Sequence, residues 1–174
     1  MTKSFEETIE VLREAGVVFD DQSPRLPDSL PQFDDEDPCG FSVFRTDLED
    51  QDLSNLDMRR TFFSKSGVSD CNFRGTNLEE SNLCWNDFIN LDLTGANLSK
   101  SDLRASLYDG VIFTDCNLEG SDLRQSDFVE CKFDGANMKG VKLTKATAAL
   151  ISLSDTQKKD IDWQTTEGAE PAGG

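Results

Sequence analysis

Large apolar residues recur at every fifth position along most of this chain. The series begins at Val43, weakens at Ala148 and ends at Leu153. A strand turns one face inward every two residues and a helix every 3.6, so neither element explains a period of five. A backbone that turns a corner once per repeat and stacks on itself does explain it. The pattern therefore predicts a solenoid over residues 41–155.

The residues around each apolar centre repeat as well. Two places before the centre the residue is mostly small, as in Thr76, Ser81 and Ser101. One place before it stands Asp or Asn in most units, and these side chains favour tight turns because they hydrogen-bond to nearby backbone groups. Two places after the centre glycine is frequent: Gly75, Gly95, Gly110, Gly120, Gly135 and Gly140. The spacing predicts one turn between successive centres.

These units resemble the A(D/N)LXX units of the pentapeptide-repeat family. The resemblance is carried by the segments TNLEE, ANLSK, SDLRA, CNLEG, SDLRQ and ANMKG, and the register holds over residues 41–155. It implies an all-β solenoid, a right-handed quadrilateral β-helix with four pentapeptides to a coil. Because each coil buries its core only against its neighbours, short helical caps are expected at one or both ends.

Four units per coil sort the apolar centres into four inward columns, and each column defines a wall of the rod. Residues twenty apart then lie one above another, about 4.8 Å apart, in a rod roughly 25 to 30 Å long. Phenylalanine clusters in walls B and C, where we expect the rings to stack. The centres of wall A are Val43, Phe63, Leu83, Leu103, Leu123 and Leu143, and those of wall B are Leu48, Val68, Phe88, Tyr108, Phe128 and Ala148. The centres of wall C are Leu53, Phe73, Leu93, Phe113, Phe133 and Leu153, and those of wall D are Met58, Leu78, Leu98, Leu118 and Met138.

The first forty residues do not repeat. Ser4 and Glu7 form a capping-box pattern, which predicts a capping helix within residues 1–16. This helix covers either its own first coil or that of a partner subunit. Residues 17–40 contain four prolines and a run of four acidic residues, and they are interpreted as an extended acidic linker.

The carboxyl-terminal segment, residues 156–174, also departs from the repeat. Ser154 and Gln157 could begin a short helix that extends through Trp163. That helix either closes the last coil or supports a homodimer, and the tail after it is expected to be disordered.

The sequence offers little catalytic chemistry. It has no histidine, no G-x-S-x-G segment, no P-loop, no dinucleotide fingerprint and no C-x-x-C pair. The acidic run from Asp34 to Asp37 lacks the spaced ligands of an EF-hand loop. Five cysteines give no disulfide framework, and Cys84 is expected to point outward. We therefore expect that the protein is not an enzyme and that it has no metal site and no cofactor.

The net charge of −17 is unevenly distributed, with −8 in residues 1–40 and −7 in residues 41–155. Wall A carries Arg45, Lys65, Arg104, Arg124, Lys142 and Lys145 against Asp102 and Asp122. Wall B, formed by residues 46–50 and the segments that follow at intervals of twenty up to 146–150, has no lysine or arginine. Its carboxylates are Asp47, Glu49, Asp50, Asp70, Asp87, Asp109, Asp127 and Glu130. Wall B should therefore repel nucleic acid and attract basic protein surfaces.

Several apolar residues depart from the polar rule for outward positions. Phe62, Leu107 and Ile112 stand where Asp or Asn is expected, and Trp85, Ile89 and Val129 also project outward. Three of these six, Ile89, Leu107 and Val129, fall on wall B, with Trp85 at its edge. An apolar centre ringed by carboxylates is typical of a protein-binding patch. Scattered surface hydrophobic residues are the alternative interpretation.

The resemblance extends to the Qnr-type quinolone-resistance proteins and their mycobacterial relatives, which are dimeric acidic rods that resemble DNA and bind DNA gyrase. It implies a bacterial, cytoplasmic, non-catalytic protein whose acidic wall binds a basic protein surface, as a DNA mimic acting on gyrase or another DNA-binding enzyme. The alternative is a structural, assembly or toxin-neutralising protein that binds its partner through the apolar-centred patch. No run of apolar residues is long enough to cross a membrane, and we expect no direct contact with nucleic acid.

Overall fold

The computed structural model describes residues 1–17, 40–166 and 168, so the predicted linker lies almost entirely outside the described residues. Three helices and nine short strands are described. The helices are α1 (Phe5–Glu14), α2 (Lys145–Ala148) and α3 (Asp155–Asp160). The strands are β1 (Ser42–Phe44), β2 (Asp47–Glu49), β3 (Phe62–Ser64), β4 (Gly67–Ser69), β5 (Asp87–Ile89), β6 (Leu107–Asp109), β7 (Asp127–Val129), β8 (Lys142–Thr144) and β9 (Asp162–Gln164).

Every strand pair is parallel and offset by twenty residues. Wall B is a five-stranded sheet in the order β2, β4, β5, β6 and β7, in which Leu48 pairs with Val68 and Val68 with Phe88. Isolated bridges with the same offset connect the coils on the other walls, as between Asp52 and Asn72. This register confirms the β-solenoid with four units per coil and the assignment of residues to walls.

The corners of the coil explain the five-residue period. Every fifth residue from Gly40 to Gly140 has a positive φ, with values near 50° to 70° at all corners after Gly40. This left-handed conformation is free of strain for glycine and uncommon for other residues, which accounts for the glycines at this position. The other corners hold non-glycine residues, so the repeat imposes the conformation even where the residue does not favour it.

The small residue two places before each apolar centre links successive coils. The Ser106 hydroxyl donates to the carbonyl oxygen of Leu83 at 2.8 Å and accepts from the backbone N–H of Asn86 at 3.1 Å. Ser101 and Ser126 donate in the same way to Leu78 and Leu103. These side chains are buried, and their size lets the neighbouring coil approach closely enough for the hydrogen bonds to form.

The Asp and Asn residues at the next position stabilise the turn, as predicted. The Asn97 side-chain oxygen accepts from the backbone N–H of Ser99 at 3.2 Å, two residues further along. The same oxygen accepts from the Asn117 side-chain amide of the next coil at 3.1 Å. Asn137 continues this ladder by donating to Asn117 at 2.9 Å. Each side chain therefore serves both its own turn and the stacking of coils.

Aromatic rings stack along walls B and C, which confirms the prediction for these columns. Ring centroids are 5.2 Å apart for Phe88 and Tyr108, 5.1 Å for Tyr108 and Phe128, and 4.7 Å for Phe113 and Phe133. These distances are close to the spacing of successive coils, because the rings sit at equivalent positions. The stacked rings fill the centre of the rod with large apolar side chains.

Capping boxes begin two of the three helices. The Ser4 hydroxyl accepts from the backbone N–H of Glu7 at 3.2 Å, and the Glu7 carboxylate accepts from the backbone N–H of Ser4 at 2.8 Å. Ser154 and Gln157 form the equivalent pair at the start of α3, at 3.2 Å and 2.9 Å. Because the first backbone N–H groups of a helix have no partner within it, these side chains determine where α1 and α3 begin.

Helix α1 lies against the first coil of its own rod. The Thr8 hydroxyl oxygen accepts from the backbone N–H of Asp57 at 3.0 Å, and the Phe5 ring stacks on Phe41 with centroids 5.1 Å apart. Leu12 is fully buried in the core. The helix was expected to cover either its own first coil or that of a partner subunit, and in this structure it covers its own.

The rod ends differently from the prediction. Helix α2 replaces the expected wall B unit centred on Ala148, because Thr144 caps a helix by accepting from the backbone N–H of Thr147 at 3.1 Å. The chain then returns to wall A, where β9 pairs with β8. The last helix, predicted to extend through Trp163, ends at Asp160, and Trp163 lies in β9 with 39% of its surface exposed.

We predict that Ser106→Ala lowers the free energy of unfolding by about 1–3 kcal/mol, because it leaves a buried backbone N–H and a buried carbonyl without these partners. Urea denaturation measures this change. Ser69→Ala is the matched control, since Ser69 makes no side-chain hydrogen bond within the described residues, and it should change stability by less than about 0.5 kcal/mol. Equal effects of the two substitutions would contradict the proposed role of the buried hydroxyl.

Candidate protein interface

The parallel register arranges the outward side chains of wall B in two columns that flank the buried centres. Because the residues before and after each centre point outward, the strand pairing places them one above another. One column reads Asp47, Gly67, Asp87, Leu107 and Asp127, and the other reads Glu49, Ser69, Ile89, Asp109 and Val129. Over the last three coils, carboxylates and apolar residues alternate both along and across the columns. Acidic and apolar side chains are therefore interleaved on this surface. This differs from the predicted arrangement, in which a ring of carboxylates surrounds an apolar centre.

Most of the predicted contact residues on wall B reach the surface. Seven of the eight predicted carboxylates are exposed beside the strand centres or at the corners, while Asp109 is half-buried, as is the apolar Leu107. Ile89 is 38% exposed and Val129 is 45% exposed. Phe62 is only 3% exposed, so the expectation that it projects into solvent was wrong. Wall B thus presents acidic groups together with two exposed aliphatic side chains.

The carboxylates of wall B form no ion pair with any lysine or arginine of the described residues. Their side chains accept hydrogen bonds from neutral groups: Asp70 accepts from the Asn90 side-chain amide at 3.0 Å, and Asp47 accepts from the backbone N–H of Gly67 at 3.3 Å. Their negative charge is therefore not neutralised within this part of the chain.

Carboxylates on walls A and D are paired. On wall A, Arg104 lies 2.6 Å from Asp102 and 3.7 Å from Asp122, and Arg124 lies 2.6 Å from Asp122. Wall D has equivalent pairs, with Glu80 contacting Arg60 and Lys100, and Glu119 contacting Lys139. Arg104 and Arg124, two of the arginines that make wall A basic in the sequence, are thus paired with carboxylates and partly buried. Wall B therefore carries unpaired charges, whereas wall A carries paired charges.

The ion pairs on wall A alter the ionisation of Asp102. Burial acts to raise the pKa of this carboxyl, but hydrogen bonds from the Arg104 guanidinium and the attraction of its charge outweigh burial. The pKa of Asp102 is consequently below its usual value. For the same reason, hydrogen bonding to Asp102 raises the pKa of Arg104.

A groove lies at the corner between walls A and B. Its volume is about 390 Å³, and its lining is Trp85, Ala105, Ser106, Leu107, Gln125 and Asp127. Three of these residues were predicted as contact residues from the sequence. Ala105, Ser106 and Gln125 were missed because none of them departs from the repeat pattern. The small side chain of Ala105 was the sequence feature that could have indicated the groove.

The four cysteines in the described part of the chain provide no reactive thiol. Cys84 is buried, contrary to the expected outward orientation, and its thiol donates to the carbonyl of Asp102. Burial raises the pKa of Cys116 to about 12 and that of Cys131 to about 11. At neutral pH these side chains are therefore protonated, and a protonated thiol is a poor nucleophile and metal ligand.

Among the described residues, no cluster of three or more Cys, Asp or Glu side chains is arranged to hold a metal ion. No described helix has the length and apolar character needed to span a bilayer.

Comparison with known proteins identifies relatives of this fold. A sequence model of the family described as pentapeptide repeats matches residues 69–104 and 112–147, with 8 copies of the repeat. No curated protein sequence matches the chain. The chain is similar to the crystal structure of the pentapeptide-repeat protein Rfr23 from the cyanobacterium Cyanothece 51142, with a TM-score of 0.54 and 21% identity over 56% of this chain and 80% of that one.

Two further solved structures are similar over a longer part of the chain but superpose less well. One is a pentapeptide-repeat protein of the Arabidopsis thaliana thylakoid lumen, with a TM-score of 0.34 and 29% identity over 66% of this chain and 72% of that one. The other is QnrB1, a plasmid-mediated fluoroquinolone resistance protein, with a TM-score of 0.32 and 13% identity over 61% of this chain and 74% of that one. Of these structures, Rfr23 supports the solenoid fold.

We predict that Asp102→Asn lowers the free energy of unfolding at pH 7 and that its effect disappears in acid. A carboxyl whose pKa is lowered by folding contributes stability above its unfolded pKa of about 3.9, and this contribution is lost as the pH falls through the folded value. The expected loss at pH 7 is about 1–3 kcal/mol, because hydrogen bonds to a charged group are lost while Asn retains the turn.

Urea denaturation at pH 7 and near pH 2 measures this difference. Asp134→Asn is the control, since Asp134 is exposed and has no ion pair within the described residues, and it should change stability by less than about 0.5 kcal/mol. A loss for Asp102→Asn that is equal at both pH values would show that the ion pair does not stabilise the rod.

Proposed function

We propose that this chain, a member of the pentapeptide-repeat family, is a non-catalytic interaction module whose wall B binds a basic surface of a partner protein. The observation that supports the proposal is the concentration of eight carboxylates without ion pairs in the described residues of this wall, beside walls A and D, whose carboxylates are paired. Unpaired charge on a single face produces a field that draws an oppositely charged surface and orients it on approach. No reaction chemistry is required for this role.

The candidate partner is a DNA-binding enzyme such as DNA gyrase, with wall B acting as a mimic of the DNA backbone. Eight carboxylates over five coils give about one charge per 3 Å of rod, taking a coil spacing of about 4.8 Å. Duplex DNA carries one charge per about 1.7 Å of its axis. The two charge densities are of the same order, so a surface that binds DNA phosphates is a suitable partner for this wall.

We predict that the double variant Asp87→Lys, Asp127→Lys abolishes any inhibition or protection of gyrase by this protein in a supercoiling assay. Both side chains are exposed and lack ion pairs within the described residues, so their reversal changes the wall's charge without breaking a contact. The matched control is Asp115→Lys, Asp134→Lys, which makes the same charge change on wall C. The control should retain the effect of the wild type.

Salt provides an independent measure of this electrostatic mechanism. Because exposed charges are screened within about 8–10 Å at physiological salt, wild-type activity should fall as salt is raised. Equal activity of the wild type and both double variants would eliminate wall B as the binding surface. Absence of any effect of the wild type on gyrase would eliminate gyrase as the partner.

A second candidate function is favoured by the exposed apolar side chains. Ile89 and Val129 lie one above the other on wall B with Asp109 between them, Leu107 lies in the adjacent column of the same wall, and Trp85 lies at the edge of the wall. Such residues suit a structural, assembly or toxin-neutralising protein that binds its partner through desolvated apolar contacts.

The variant Trp85→Asn, Ile89→Thr, Leu107→Thr distinguishes this second function from the first. If apolar contacts dominate, the triple variant loses binding to a purified partner while the charge-reversal variant retains much of it. If charge dominates, the charge-reversal variant loses more affinity than the triple variant. Surface plasmon resonance with the purified partner provides the comparison.

A further inference from the structure

The groove at the corner between walls A and B has a simple cause in the sequence. The corner residues of successive coils are Arg45, Lys65, Trp85, Ala105 and Gln125, and all have positive φ. Ala105 has the smallest side chain of the five, so the space between Trp85 and Gln125 is not filled. The result is the groove of about 390 Å³ described above.

Trp85 is an unusual residue for this corner. Its φ of 61° places a bulky aromatic residue in the left-handed region, which is a genuine outlier for such side chains and costs of order 1 kcal/mol or more. Its buried indole N–H donates no hydrogen bond to any of the described residues. Neither the backbone nor the hydrogen bonding of the rod therefore requires tryptophan at this position, which points to a role in binding.

The charged side chain that lines the groove is negative and available. Asp127 lines the groove, and Asp87 lies two residues from Trp85 on wall B. Both lack an ion pair within the described residues. Arg104 and Arg124, the guanidinium groups nearest in sequence to Ala105 and Gln125, are bound by Asp102 and Asp122. No cation from these two residues neutralises the groove.

We propose that this groove receives an arginine side chain presented by the basic partner protein. The inference rests on the proposed function, since it specifies which side chain of a basic surface engages wall B. The planar guanidinium can lie against the Trp85 ring and donate two hydrogen bonds to the Asp127 carboxylate. Its aliphatic stem can pack on Leu107.

The dimensions of the groove agree with this occupant. Small-molecule sites usually have volumes of about 300–1,000 Å³, so the groove is at the lower end of that range. It accommodates one extended side chain and is too small for a helix. Arginine fits better than lysine, because only the guanidinium combines ring stacking with bidentate pairing to a carboxylate.

The probe that tests this inference is the tripeptide acetyl-Gly-Arg-Gly-amide, and NMR of the tryptophan indole N–H groups is the measurement. The sequence has two tryptophans, so Trp163 in β9, which does not line the groove, serves as an internal control. We expect a saturable shift of the Trp85 resonance with a dissociation constant in the millimolar range and no saturable shift of Trp163. The same tripeptide with neutral citrulline in place of arginine should bind at least about tenfold more weakly, because it cannot form the ion pair.

Two variants locate the binding. Ala105→Gln fills the groove with the residue that the next coil already accepts at the same corner, so the fold is retained. Asp127→Asn removes the carboxylate. Each should weaken tripeptide binding at least about tenfold, as expected for the loss of about 1.4 kcal/mol. Asp115→Gln, which places glutamine at an exposed corner of wall C, is the control and should bind as the wild type.

Several results would overturn the inference. These are a Trp85 shift that does not saturate, equal binding of the citrulline peptide, or full binding by Ala105→Gln. If Ala105→Gln acts on the protein partner as the wild type does while Asp87→Lys, Asp127→Lys fails, the groove is excluded and the proposed function of wall B stands. If the tripeptide binds at Trp85 but no basic protein responds to the wall B reversal, the groove is supported and the proposed function is lost.

Discussion

The parallel hydrogen bonding between residues twenty apart is the constraint on which the rest of the structure depends. Each coil pairs with the next at a fixed offset, and a left-handed corner every fifth residue makes that offset possible. Because the corner conformation is uncommon for most side chains, hydrogen bonds between coils must compensate for it at each turn. Buried hydroxyl groups such as that of Ser106 contribute by bridging the backbone of adjacent coils.

The same constraint converts a linear sequence into four surfaces with different charges. A residue at a given place in the repeat always faces the same side of the rod, so the twenty-residue register decides which charges meet. On wall A, Asp102 and Asp122 meet Arg104 and Arg124, whereas no described cation faces the carboxylates of wall B. This difference is the physical basis of the proposed interaction, because paired charges contribute little to the field that a partner encounters.

Residues that depart from the repeat pattern lie where the rod itself departs from four regular walls. Trp85 and Ala105 occupy corners of successive coils with the same backbone conformation, but their side chains differ greatly in size. The groove lies beside the smaller side chain. At the end of the rod, Thr144 begins helix α2 at the point where the series of left-handed corners has stopped. Both features arise from single residues acting on an otherwise uniform scaffold.

The sequence by itself determined the period, the four columns, the turn chemistry and both capping boxes, because each depends on local residue types at fixed spacing. Only the tertiary structure decided that the Ala148 unit forms a helix, that Cys84 and Phe62 are buried, and that Arg104 and Arg124 of wall A are paired. It also revealed the groove beside Ala105. These features depend on which side chains of adjacent coils fill the space around a given position. A repeat fixes the path of the backbone, whereas the contacts between side chains depend on their sizes and rotamers in three dimensions.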